Sequence, residues 1–422
     1  MKENIYLKRY AYPTGYFDLG SLAGSDMLVV IPCFDEPNLV ETLDSLNRST
    51  VPRDGQVGVM VVINHGTKSS DEIKARNRAT LAQFQSWAGD NTHTSISYQC
   101  RLVELPQKHA GVGLARKVGM DDAVRIFDLS GKDGPIVCLD ADCTVYSNYF
   151  EALWDAFNDT KVKSASLYYE HSVDLSRGDD NPEGIVLYEI YLRYYIDALR
   201  YAGYPMAVQT IGSSMAVRCS AYQKCGGMNR RKAGEDFYFI HKLLPLGGYT
   251  EINSTTVRPS GRVSDRVPFG TGAAIGKWTE DASSLDLICN PDIFEDLKTF
   301  VDATDHFYRL SESEITDLIE VLPISIRRFL EIGNGVKNVL EIKAKTSNAS
   351  SFKKQFWNYF DGLKVLKYVH YASEHNSPRV PVSKGLAWIF AEHFQIDKPA
   401  TLVESLKALR EFDRTNAVRI DL

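Results

Sequence analysis

The chain has 422 residues, 44% of them hydrophobic and 24% charged, with a formal net charge of −6. That is ordinary globular composition, long enough for two or three domains that each bury a core, and it excludes a global basic field for nucleic acid. Seven cysteines, an odd number with no Cys-x-x-Cys pair, suggest neither a disulfide framework nor a zinc site, so a reduced cytosolic setting is expected.

Residues 1–25 read as a Tyr-rich extension without a signal-peptide core, and no apolar run of about 18 residues indicates a membrane span. A short apolar strand follows at 28–31, then the loop 32–37 and a helix over 38–48. Strands at 57–63 and 101–105 flank a helix at 71–88, and a helix over 112–128 leads to the apolar run 135–139. This alternation predicts an α/β fold with a mostly parallel sheet between helices. Further strands are expected at 164–170 and 249–257, helices at 185–201 and 235–244, and a Gly-, Ser- and Arg-rich loop over 258–276. Beyond 281 the pattern turns to helix-period runs at 291–309, 312–332, 335–344, 351–374 and 400–412. The predicted division is therefore an extension (1–25), an α/β domain (26–280) and a helical domain (281–422).

Asp140-Ala141-Asp142 ends the 135–139 strand. In extended chain, residues two apart share a side, so both carboxylates are expected to project together from a strand's carboxyl end, where open α/β sheets place their ligands. Two like charges there call for a proton or a hard divalent cation, and such a cation also neutralises a departing diphosphate.

Three more segments accompany the acid pair: Val29-Val30-Ile31-Pro32-Cys33-Phe34-Asp35-Glu36-Pro37, Gly212-Ser213-Ser214-Met215, and Cys225-Gly226-Gly227-Met228 leading to Gly234-Glu235-Asp236. Taken in order, the four motifs resemble family 2 glycosyltransferases with the GT-A fold over about residues 27–278; the helical C-terminus lies outside the resemblance. The resemblance implies a metal-dependent, inverting hexosyltransferase. It would move a sugar from a UDP- or GDP-type donor to a hydroxyl of a glycan, lipid-linked or small acceptor, in surface polysaccharide or glycoconjugate synthesis. Asp142 and Asp140 would hold Mn or Mg, with a third ligand sought at His241 or in the 258–277 loop. Asp236 would be the general base, with Glu235 orienting the acceptor. Pro32, Asp35, Glu36 and Asn64 would line the nucleotide pocket; Asn64 stands in Asn64-His65-Gly66-Thr67, where many family members carry Asp-Asp-Gly-Ser. Lys108, Arg116, Asp140, Gly212, Ser213 and Ser214 are further donor contacts, and Arg262 and Arg266 would clamp the diphosphate.

Two alternatives use the same residues. Leu139-Asp140-Ala141-Asp142-Cys143-Thr144 also resembles the DxDxT loop of haloacid-dehalogenase-type phosphatases, with Asp140 as nucleophile. The other is a non-catalytic sugar-nucleotide-binding module. Tyr188, Tyr191, Tyr194, Tyr195 and Tyr201 crowd one helix, and core packing is the favoured reading over sugar stacking. Between Ile324 and His370, Lys and Arg outnumber acids among interleaved aromatics. That pattern admits peripheral contact with the inner membrane face, with a solvated helical face favoured.

Overall fold

The computed structural model describes residues 3–173, 182–264 and 270–421. They form two compact units, one of residues 1–180, 210–273 and 413–421, the other of residues 181–209 and 274–412 with residue 422.

The first unit is built on β1 (Met27–Cys33), β2 (Val57–Gly66), β3 (Ile96–Leu105), β4 (Pro135–Cys138), β5 (Thr144–Val145), β6 (Ser164–Tyr169), β7 (Met215–Arg218) and β8 (Tyr249–Arg258). The order across the sheet is β3-β2-β1-β4-β7-β6-β8, with Arg419–Ile420 pairing on the outer side of β8 and β5 also pairing with β8. β3, β2, β1 and β4 are parallel, β7 runs antiparallel between β4 and β6, and β6 and β8 are parallel. β1 and β2 are buried along their whole length, which is why both read as continuous apolar runs rather than alternating ones.

The order of the parallel strands places the site. The chain steps outward from β1 to β2 to β3 through the helices Leu39–Asn47 and Asp71–Asp90. It then returns through the helix Val112–Ser130 to lay β4 on the far side of β1. With right-handed crossovers, this reversal sends the connecting helices to opposite faces. The carboxyl ends of β1 and β4 are thus the topological switch point, where open α/β sheets place their ligands.

The helix Val112–Ser130 packs on β1 and β2 and buries four charged side chains, Arg116, Lys117, Asp121 and Asp122. Two of them fasten the N-terminal extension. Asp121 accepts hydrogen bonds from the hydroxyls of Tyr6 (2.6 Å) and Tyr222 (2.8 Å) and from the Tyr12 N–H (2.6 Å), and it pairs with Lys117 (3.0 Å). Asp122 accepts from the Tyr16 and Phe17 N–H groups at 2.7 and 3.2 Å. The extension is thus docked by buried carboxylates.

In the other unit the helix Pro182–Tyr201 packs with Pro291–Thr304 and Val382–Ile389. It falls within the sequence range 26–280 but groups with the helices. Conversely, residues 413–421 return to the α/β unit: Arg414 bonds Thr256 at 2.9 Å and lies over the Tyr168 ring at 3.9 Å. The run 312–332 is two helices, Glu312–Glu320 and Ile324–Ile332, because Pro323 withholds a backbone donor. The run 351–374 likewise divides into Ala349–Tyr359 and Gly362–His375, where the Asp361 carboxylate caps the second helix. Part of the expected 258–276 loop is helical, in Thr271–Glu280.

Of the tyrosines on the Pro182–Tyr201 helix, Tyr194 is buried, and Tyr188, Tyr191, Tyr195 and Tyr201 are half-buried. Tyr194 sits edge-on to Phe294 at 5.9 Å, and Phe300, Phe307, Phe352, Phe356, Trp357 and Phe360 form one buried cluster or its rim. Of the basic residues, Arg328 pairs with Glu331 at 3.0 Å, and Lys337 and Lys345 flank Glu341 at 4.0 and 3.8 Å. That is the pattern of a solvated helical face. No helix among the described residues is long and apolar enough to cross a membrane.

Replacing Asp121 by Ala strands the buried Lys117 ammonium and two tyrosine hydroxyls, so urea unfolding is expected to show a loss of about 3–5 kcal/mol. Tyr6→Phe, which removes one hydrogen bond to that carboxylate, is expected to cost about 2 kcal/mol.

Candidate functional site

At the end of β1 the chain continues through Phe34 into Asp35 and Glu36. Asp35 adopts a left-handed backbone (φ 50°), a conformation Asp tolerates better than most residues. Its carboxylate meets the fork of Arg76, Nε to Oδ1 at 2.5 Å and Nη2 to Oδ2 at 2.7 Å. Its N–H donates to Oδ1 of buried Asn77 (3.0 Å), whose Nδ2 donates to the Asn64 carbonyl (2.9 Å). Glu36 is buried; Oε1 accepts from the Asn38 N–H at 2.8 Å and Oε2 from Arg262.

Beyond β4 the acid pair does not continue an extended strand. The strand ends at Cys138, and the Cys143 N–H donates to the Asp140 carbonyl at 3.1 Å, closing a turn. Thr42 Oγ1 anchors the turn by donating to the Ala141 carbonyl at 2.9 Å. The expectation of an extended Asp-Ala-Asp is corrected on this point: a turn, not strand pleating, presents the two carboxylates. Their side chains are 36% and 25% exposed for Asp140 and Asp142, while Ala141 between them is buried.

The third part comes from the helix Glu235–Leu243, which places Glu235 and Asp236 in its first turn. Glu235 is buried, and Asp236 is half-buried with Oδ1 accepting from the Phe237 N–H at 2.7 Å. Arg116 ties this helix to the acid pair. Its guanidinium is 2% exposed; Nη1 donates to Glu235 Oε1 and Nη2 to Asp140 Oδ1. Burial pushes the Asp236 carboxyl above the ordinary carboxylate range; the Asp140 charge adds to the rise, and the Arg116 charge opposes it. On the other side Arg262, bonded to Glu36, approaches Asp142 Oδ2 at 3.5 Å.

Two glycines make these approaches feasible. A Cβ on Gly212 would lie 2.6 Å from both Arg116 Nη atoms, so the guanidinium rests against bare backbone. A Cβ on Gly113 would lie 2.3 Å from the Arg231 carbonyl and 3.0 Å from Glu235 Cβ. Close contact between the start of the Val112–Ser130 helix and the 229–235 loop requires that glycine.

The remaining sequence candidates lie as follows. Pro32 is a buried residue of β1, in register with Val62. Asn64 is buried, and its amide donates to the Cys33 carbonyl at 2.9 Å, tying β2 to the end of β1. Lys108 is exposed on the loop before the Val112–Ser130 helix. Ser213 and Ser214 are buried, and the Ser214 carbonyl accepts from the Leu167 N–H at 2.8 Å. His241 lies against Phe237, the rings tilted by 55° with centroids 4.5 Å apart. Arg266 lies outside the described residues. The sequence reading missed Arg76 and Asn77. A buried Asn on an amphipathic helix was the available signal, because a buried amide needs partners.

Among the described residues no group of three or more His, Cys, Asp or Glu is arranged to hold a metal ion. Asp140 and Asp142 are nevertheless a fitting pair for a Mg-like cation, which takes one or two carboxylates and fills its other positions with phosphate oxygens and water.

No family model matches the chain, and no curated protein does. Solved structures do. S. aureus TarS 1–349 in complex with UDP-GlcNAc aligns over 76% of this chain and 90% of its own at 11% identity, with a TM-score of 0.37. GalNAc-T7 with UDP, GalNAc and Mn2+ aligns over 62% of this chain and 49% of its own at 13% identity, with a TM-score of 0.36. Likenesses this weak carry no argument, and the functional reading stands on the strand order and the side chains.

Gly212→Ala drives a methyl into the Arg116 guanidinium. Thermal unfolding is expected to show a loss of about 1–3 kcal/mol, the usual cost of overpacking. Alanine at Gly89, whose added Cβ would meet nothing within 4 Å, is the control expected to leave stability unchanged or raised.

Proposed function

We propose that the α/β unit is a glycosyltransferase of the GT-A type that takes a nucleotide-diphosphate sugar and transfers the sugar, with inversion, to a hydroxyl acceptor. The observation that carries this reading is the convergence of Asp140, Asp142, Glu235 and Asp236 beside the β1–β4 reversal, bridged by Arg116. A ligand site is expected at a topological switch point, and this one presents two partly exposed acids on one side and a half-buried carboxylate of raised pKa on the other.

In this reading Asp142, with Asp140 beside it, would hold the divalent cation, which when bound supplies charge neutralisation for the diphosphate. Arg262, seated between Glu36 and Asp142, turns to the phosphate oxygens. Asp236 accepts the proton of the acceptor hydroxyl as the oxygen forms its bond to the anomeric carbon. The bond from that carbon to the diphosphate oxygen breaks, and the nucleoside diphosphate leaves with the electron pair. Glu235, buried against Arg116, is assigned to holding the site in place rather than to touching the acceptor. The phosphatase alternative gains no support. Asp140 follows the fourth strand of its sheet rather than the first, and one of its oxygens is committed to a buried arginine.

Thermal shift and calorimetry with UDP and GDP, with and without Mn2+, test the donor half. One diphosphate should raise the melting temperature in a metal-dependent way, and Asp142→Ala should weaken that binding about tenfold or more. Asp236→Asn should spare diphosphate affinity while lowering transfer by at least about a hundredfold; unchanged turnover removes Asp236 from the mechanism.

The raised pKa of Asp236 fixes a pH dependence. Its carboxylate accepts a proton only when ionised, so the rate is retained above its pKa and lost as pH falls through it. The acid limb of kcat/KM is expected above the reference carboxylate value of about 3.9. A limb at or below that value would show that another group sets it.

A further inference from the structure

We propose that Arg116 is a positioning residue that couples the donor side of the site to the acceptor side, so that the buried Glu235 tunes diphosphate binding without touching the diphosphate. The inference rests on the glycosyltransferase reading above and adds a route between its two halves.

Three observations carry it. First, the guanidinium holds one carboxylate with each terminal nitrogen, Glu235 through Nη1 and Asp140 through Nη2. Its Nε has no hydrogen-bond partner among the described residues. Its orientation is therefore fixed by those two acids and by the Gly212 backbone behind it. Second, the two acids differ in access: the Asp140 side chain is 36% exposed and that of Glu235 3%. A ligand can meet Asp140 directly, whereas Glu235 can act on it only through Arg116. Third, both flanks are stiff. The Asp140 turn is anchored by Thr42, and the Glu235 backbone carbonyl accepts from Asn229 Nδ2 at 2.8 Å while Gly113 presses the helix start against the same loop. With rigid flanks, a change at one carboxylate is absorbed by the guanidinium between them. A planar fork serves this purpose where a single ammonium would not.

The test is a double-mutant cycle on the full chain, read by calorimetry with UDP and GDP in Mn2+. Glu235→Gln is expected to weaken diphosphate binding about tenfold, and Glu235→Gln combined with Asp140→Asn to bind no more weakly than Asp140→Asn alone. Circular dichroism accompanies each variant. Should Glu235→Gln not fold, the milder Glu235→Asp takes its place. Arg116→Lys keeps the charge but not the fork, and in its background the Glu235 substitution is expected to have no effect on affinity. Merely structural damage would persist in that background. Wild-type protein that binds while the Glu235 substitution changes nothing, or effects of the two substitutions that multiply independently, overturns the coupling alone. Wild-type protein that binds neither diphosphate overturns the donor reading and the coupling with it.

Discussion

A buried arginine between two carboxylates is the constraint on which the rest of the site depends. An isolated guanidinium at the depth of Arg116 would be severely unfavourable, and so would Glu235 without it. Each makes the other tenable, and the pair fixes where the Val112–Ser130 helix meets the Glu235–Leu243 helix. Asp140 completes the triad from the partly exposed side and takes its orientation from the same charge. The surrounding small residues follow from this geometry: Gly212 admits the guanidinium, and Gly113 admits the loop that delivers Glu235.

The same helix carries a second set of buried charges about one and a half turns further on. Asp121 and Asp122 face the N-terminal extension, while Arg116 faces the site. Polar groups on both sides of one buried helix bind two otherwise independent features, the extension and the acid cluster, to a single rigid element. The sheet beneath supplies the stiffness: β1 and β2 are fully buried parallel strands, and the helix lies directly on them.

Much of this was legible in the residues. Uninterrupted apolar runs announced the parallel strands, and the acid motifs announced their carboxyl ends, because burial on both faces and charge at one end leave direct compositional traces. Other features leave none. β3 begins at Ile96, before the apolar stretch that marks it, since its outer residues alternate in exposure at the edge of the parallel strands. The turn at Asp140 depends on a backbone bond from Cys143, which residue types do not encode. The exchange of Pro182–Tyr201 into the helical unit and of residues 413–421 into the α/β unit is a matter of long-range packing. Arg116 read as a donor contact at a Gly-punctuated helix start. Only the fold shows two acids converging on it from segments 24 and 119 residues away along the chain.

Charge balance decides what the site asks of a ligand. At the carboxyl ends of β1 and β4 stand five carboxyl groups, Glu36, Asp140, Asp142, Glu235 and Asp236, with two guanidinium groups, Arg116 and Arg262, among them. Asp35 is matched separately by Arg76. With every carboxyl ionised the excess is three negative charges; the upward shift at Asp236 comes first from burial, with the Asp140 charge adding to it and the Arg116 charge opposing it. A nucleoside diphosphate would bring further negative charge into this field. It can enter only with cations of its own or by drawing Arg262 away from the acids it now faces. In the glycosyltransferase reading proposed above, such a field would favour a donor that arrives with a divalent ion over one that arrives alone, and the partly exposed Asp142 is where we propose that ion would land.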